Sequence, residues 1–252
     1  MKKFLKGNWK FILFVLFGGL IGGYCMGFYA YDTLSEDLLK HLQEQSVTRE
    51  MIGLSTMFQY GILFGVVPAC FGLALSKKVK LWNKFKIDKK AILAMLAITI
   101  IGTLLLYPGD KLIFGSLNSW VDDQYTVKPT IYKIIGGLLV GGIIEEVLMR
   151  LFFMSLLVLI ISKLFYKNSK NISVIVYVIA NAISAFLFAA SHLPSTAAMT
   201  VLTPVLIIRC FLFNGSLGLA FGYLYRKFGI GYAMLSHGFS HLISDILMII
   251  FI

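Results

Sequence analysis

Glu145, Glu146 and Arg150 sit inside an otherwise apolar run from Ile134 to Ile161. A charged side chain at membrane depth costs about 3 kcal/mol even on the lenient insertion scale. Three such groups so close together therefore need partners, a wet cavity or a chemical task. Five other ionisable side chains fall in, or at the edge of, apolar stretches: His192, Arg209, His237, His241 and Asp245. Three of the four histidines of the protein belong to this set.

Helical spacing sorts the set. Glu146 and Arg150 stand four apart, share a helix face and can pair. Glu145 points about 100° away and lacks that partner. Adjacent carboxylates repel when both are ionised. One carboxylate neutralised by arginine, with a second free to exchange a proton, is the arrangement a general base needs. Phe188 and His192 also stand four apart, which lays an aromatic ring beside an imidazole. His237, His241 and Asp245 form an i, i+4, i+8 series on one helix face. Such a pair of histidines can hold a metal, and a carboxylate one turn on can orient a ring. No cofactor follows from this pattern, although the histidines leave room for a divalent metal such as zinc.

Taken together, a carboxylate base, two or three imidazoles and a buried arginine suit activation of water against a carbonyl. In that reading Glu145 takes the proton and His192 helps position the water. His237 and His241 hold the developing oxyanion, or bind a metal that does so. No serine nucleophile motif and no HExxH sequence is present. The plainer readings are a Glu146–Arg150 clamp holding a broken helix, a loop histidine at 192 and a polar seam along 237–245.

The elements that must position these groups are membrane spans. Of the 252 residues, 58% are hydrophobic and 14% charged, whereas soluble domains are nearer 45–50% apolar and about 25% charged. Apolar runs about 20 residues long match a hydrocarbon core of ~30 Å. The net charge of +11 is not a nucleic-acid signal. Sixteen of the 23 Lys and Arg lie in four patches: Lys2 to Lys10, Lys77 to Lys90, Lys163 to Lys170, and Arg226-Lys227. Eight of the 12 acids lie between Asp32 and Glu50 or between Asp110 and Asp123. That alternation follows the positive-inside rule, with the basic patches against cytoplasmic anionic headgroups. Membrane lipids are thus the expected surroundings. A peptide or membrane protein is the expected substrate, and nucleic acid is not an expected partner. Cys25, Cys70 and Cys210 are too scattered for a disulfide framework or a thiolate metal site and read as packing residues.

In chain order the expected spans are Phe11–Tyr31, Ile52–Leu75 with a kink at Pro68, Ala91–Leu106, the run Ile131–Phe165, Ile172–Ser191, Ala198–Tyr225 and Gly231–Ile252. Asp32 to Glu50 reads as an outer helical segment in which His41 is a solvated residue. Tyr107-Pro108-Gly109-Asp110 reads as a turn that ends the third span. Trp120 and Tyr125 read as interfacial anchors. The 35 residues from Ile131 to Phe165 would make a helix of ~52 Å at 1.5 Å per residue, too long for one upright crossing. Gly136-Gly137 and Gly141-Gly142 offer places to break it or pack it closely. The fold expected is all-α, a polytopic transmembrane bundle of seven spans, or eight if that run is a hairpin, with polar residues lining an intramembrane cavity. Residues 1–130 supply N-terminal helices and loops, and 131–252 supply the core carrying the polar set, all in one multi-pass unit of the cell membrane.

At these residues the chain resembles the CPBP family of intramembrane proteases. That family includes the type II CAAX prenyl endopeptidases and the Abi-like bacteriocin-processing and self-immunity proteins. Its EExxxR motif is matched by Glu145-Glu146-Val147-Leu148-Met149-Arg150, and its FxxxH motif by Phe188-Ala189-Ala190-Ser191-His192. Its third motif, a histidine followed four residues later by Asn or Asp, falls on His237, with Gly222 to Arg226 and Gly229 upstream. Position 241 departs from it, being His. The resemblance covers roughly Gly136 to Asp245. It implies an endopeptidase in which Glu145 and His192 activate water while His237 and residue 241 stabilise the oxyanion. The family has been described as glutamate-dependent and as metal-dependent. A non-catalytic immunity or scaffold protein of the same family is the alternative, and a small transporter ranks third.

The seven-span arrangement carries one tension. His192 would lie near the outer end of its span and His237 only ~15 Å from the inner basic pair, so straight helices would keep them apart.

Overall fold

The computed structural model describes residues 2–165 and 171–252. In the basic patches, the side chains of Lys2, Lys3 and Lys6, and Lys167 and Lys170 altogether, lie outside the described residues. The described residues form helices and connecting turns with no strand. They comprise α1 (Lys2–Asp32), α2 (Glu36–Glu44), α3 (Arg49–Lys78), α4 (Lys89–Leu117), α5 (Ser119–Gln124), α6 (Ile131–Phe165), α7 (Val174–Ala190), α8 (Leu193–Met199), α9 (Pro204–Phe228) and α10 (Ile230–Phe251). Among the described residues seven stretches are long and apolar enough to cross a bilayer: α1, α3, α4, α6, α7 with α8, α9 and α10. Large apolar side chains such as Phe14, Phe17, Phe71, Ile101, Phe186 and Ile250 stand exposed on the outside of the bundle. Lipid is the solvent that accommodates them, and this is a multi-pass membrane protein.

The run Ile131–Phe165 does not fold back. It is one continuous helix, so among the described residues seven stretches, not eight, are long and apolar enough to cross. Its glycines do not break it. Over Gly137–Glu145 and again over Val147–Met154 the helix widens to i→i+5 hydrogen bonding, which carries more residues per turn and shortens the helix. Wide turns are frequent at functional sites. The glycines serve close packing instead. A Cβ on Gly142 would lie 2.9 Å from the Cα of Gly238, so α6 and α10 touch backbone to backbone.

Proline has a similar effect elsewhere. Lacking an N–H, Pro68 cannot close the turn before it, and α3 widens over Gln59–Val66 immediately upstream. Pro108 does not end the third span as the sequence suggests. α4 runs through it, widens over Asp110–Phe114 and stops only at Leu117. The reason is tertiary: Asp110 is buried and accepts two hydrogen bonds at 2.5 Å from Arg209 of α9, which holds the chain helical past the proline. Trp120 and Tyr125 pack inward against α4 and α9 instead of standing free at the interface. Tyr125 donates to Asp110 at 2.8 Å, and Trp120 covers the small outer cluster of Phe114, Val121 and Leu206.

α1 lies in the groove between α3 and α6, where Gly19 and Gly23 let it approach the backbone of Tyr60 and Thr56. α10 packs between α4 and α6, and α9 between α7 and α10. At the inner end Val79, Leu81, Tyr225, Ile230, Tyr232 and Met234 form one buried layer. The inner connection is drawn over it: Tyr232 Oη donates to Lys86 O and accepts from the backbone N–H of Asp88. His41 is exposed on α2 beside Gln45. Cys25, Cys70 and Cys210 are free thiols.

Candidate active site

α6 brings Glu145, Glu146 and Arg150 to mid-bundle. Glu146 and Arg150 are fully buried, with Glu146 Oε2 3.4 Å from Arg150 Nε. The guanidinium also donates to Gly218 O of α9 at 3.1 Å and lies over the face of Phe188, its carbon 4.4 Å from the ring centre. A fully desolvated arginine is tolerable only with such partners: a carboxylate, a carbonyl and a ring. On its other side Glu146 Oε1 lies 2.9 Å from His237 Nδ1. Glu146 therefore holds two cationic or donating groups from different helices, and is more than a one-helix clamp.

Glu145 occupies a different environment. Its side chain is partly exposed, with Oε1 4.0 Å from His192 Nε2 and Oε2 3.8 Å from His237 Nε2. Both separations exceed a direct hydrogen bond. Oε2 has no hydrogen-bond partner among the described residues.

His192 reaches this point because α7 is short. Its 17 residues span about 26 Å at the helical rise, less than the ~30 Å core. The chain breaks at Ser191–His192 and restarts as α8 with Pro194 in its first turn. The ring then folds back beneath the helix end, Nδ1 lying 2.8 Å from Phe188 O. This removes the tension between the depths of His192 and His237 within seven spans. A carbonyl only accepts, so Nδ1 carries the hydrogen and the neutral ring presents a bare Nε2 lone pair toward Glu145.

His237 is clamped by Glu146 at Nδ1 and stacked on Phe221, with centroids 4.5 Å apart and planes at 20°. His241 stacks on its other face at 5.1 Å and 24°. The ring of His241 packs against Gly137 and Gly141, and the glycines are required there: a Cβ on Gly141 would fall 2.7 Å from the His241 ring. His241 is exposed toward the cavity. Asp245 does not continue the histidine series as an orienting carboxylate. It turns instead to Lys133 at the outer end of α6, 3.2 Å away.

The cavity, about 380 Å³, is lined on its floor by Phe188, His192, Phe221, His237 and His241. Its walls carry the ion pairs Lys133–Asp245 and Arg209–Asp110, with Tyr125 beside the latter. Burial first, and then the Asp110 charge, raise the Tyr125 phenol above its ordinary value, so it stays a donor. The sequence singled out Arg209 without a partner and passed over Asp110, Lys133 and Phe221. Arg209 and Asp110 stand 99 positions apart, so no local spacing pairs them. Among the described residues no group of three His, Cys, Asp or Glu side chains is arranged to hold a metal ion. The donors as placed do not fit a zinc site.

Residues 127–243 match a family model described as type II CAAX prenyl endopeptidase Rce1-like. The match takes in Glu145, Glu146, Arg150, His192, His237 and His241, and over this segment the chain is similar to that family of intramembrane proteases. The family so described is one of proteases. No match was found among curated proteins or among solved structures.

Proposed function

We propose that the protein is an intramembrane endopeptidase in which Glu145 and His192 activate water against a peptide carbonyl. The observation that carries this is the gap between them. At 4.0 Å, with a lone pair on His192 Nε2 and a carboxylate oxygen opposite, one water can donate a hydrogen to each. Its own lone pairs then face the cavity. Glu145 takes one proton as the water oxygen bonds to the carbonyl carbon, and the carbonyl π electrons become the oxyanion.

His237 can donate to that oxyanion from Nε2 only when both ring nitrogens carry hydrogen. Glu146 Oε1 stands 2.9 Å from Nδ1 and Glu145 Oε2 3.8 Å from Nε2, so the ring is held with its Nε2 edge toward the cavity side of the glutamate pair. Collapse of the intermediate breaks the C–N bond, and the proton held by Glu145 passes to the departing amine. His241, stacked on His237 at the cavity wall, supplies a second donor near the oxyanion.

The test is hydrolysis of a quenched fluorescent peptide library by the purified protein. Glu145→Ala and His192→Ala should each lower the rate about 10²–10⁴-fold, the usual worth of acid–base catalysis, with membrane insertion unchanged. Wild-type turnover in either variant rules the mechanism out.

A further inference from the structure

The cavity and the charge pattern together orient the site. By sequence the four basic patches carry 16 Lys and Arg against one acid, Asp88, and those among the described residues lie at one face. The segments at the opposite face carry eight acids between Asp32 and Glu50 and between Asp110 and Asp123. Positive-inside orientation places the first face in the cytoplasm.

The cavity opens at the other end. Its walls are Lys133 at the start of α6, Trp120 and Tyr125 of the outer connection, Ser195 of α8, Arg209 near the start of α9 and Met248 near the end of α10. All lie at the outer ends of their helices. Toward the cytoplasm the histidines are sealed off by the buried layer of Val79, Leu81, Tyr225, Ile230, Tyr232 and Met234. The inner connection is pinned across that layer by Tyr232.

We infer that the active site is reached from the extracytoplasmic side and that its substrate is a polypeptide segment exposed there. The substrate half of this inference rests on the proteolytic reading above; the orientation does not. The walls fit such a segment. Met26, Met199, Met248 and Phe213 accept apolar side chains, while the Lys133–Asp245 and Arg209–Asp110 pairs offer donors and acceptors to an extended backbone.

The experiment uses the full chain with Cys25→Ala, Cys70→Ala and Cys210→Ser, carrying one new cysteine, either Ser195→Cys or Lys84→Cys. A membrane-impermeant maleimide is added to right-side-out vesicles, intact or permeabilised. The expected result is equal labelling of Ser195→Cys in both and labelling of Lys84→Cys only after permeabilisation; the reverse pattern overturns the orientation. The second arm co-expresses a membrane-anchored reporter with a randomised peptide stretch on either the outer or the inner side of its anchor. Cutting confined to the outer reporter, and lost in Glu145→Ala, supports the inference. Cutting confined to the inner reporter overturns the substrate class. If Ser195→Cys labels from outside and neither reporter is cut, the proteolytic reading fails and the substrate claim with it, while the outward opening stands.

Discussion

His237 Nδ1 lies 2.9 Å from Glu146 Oε1, and this contact joins α6 to α10 at the centre of the bundle. The second glutamate of the pair is thereby separated in role from the first. Glu146 is fully buried between Arg150 and His237, while Glu145 faces the cavity.

The buried network makes a stability prediction. Glu146→Ala leaves Arg150 without its carboxylate in a site of zero exposure, and breaking a buried pair this way costs about 3–5 kcal/mol. Glu146→Leu combined with Arg150→Met removes both charges and should recover most of that loss while remaining inactive. Thermal melts in detergent distinguish the two; a double variant no more stable than the single one contradicts the pairing.

Gly141→Ala tests the close approach of the imidazoles. The added methyl would fall 2.7 Å from the His241 ring and 3.3 Å from His237 Nε2. A displacement near 1 Å can lower turnover about 10²-fold. Expression and melting should change little by comparison, because the His241 ring can shift toward the cavity. Unaltered turnover would show that the two rings need not be held there.

His241→Asn restores the family pattern at that position. Asparagine keeps an N–H donor in the same place, whereas a neutral histidine donates from only one of its two ring nitrogens. Activity should stay within about tenfold of wild type, the scale of one neutral hydrogen bond exchanged for another. A larger loss in peptide turnover would give the His241 ring a role beyond donation.

Tyr125 offers a pH handle outside the spans. Its phenol is raised by burial and by Asp110, so the folded state favours the neutral form. A raised value stabilises fully below the unfolded tyrosine value of about 10, and that stabilisation is lost as pH climbs through the folded one. Tyr125→Phe should therefore cost about 1.5–3 kcal/mol near neutrality, the worth of a hydrogen bond to a charged acceptor. The gap should narrow at strongly alkaline pH. A difference independent of pH would leave packing as the whole of its contribution.

The spans, their order and the membrane setting were legible because length and hydropathy act locally. So was the Glu146–Arg150 pair, which needs only helical spacing. The crossing count was not, because 35 apolar residues fit a hairpin or a widened helix equally well, and packing of α1 and α10 on the glycine face decides between them. Pro108 misled for a related reason: its local preference is overridden by Asp110 pairing with Arg209. The geometry of His192 and His237 was hidden in the shortness of α7 and a ring folded back under its end. The Lys133–Asp245 pair was out of reach because its two residues belong to different spans and only their packing joins them.

The central charges of α6 also impose an order of assembly. When α6 leaves the ribosome, Glu146 and Arg150 have only each other, since Gly218 and His237 belong to helices synthesised later. The polar set is completed by α9 and α10, so nascent chains stopped before α10 carry a half-satisfied charge cluster in lipid. The last partner of the buried cluster therefore arrives with the same helix that completes the candidate catalytic site.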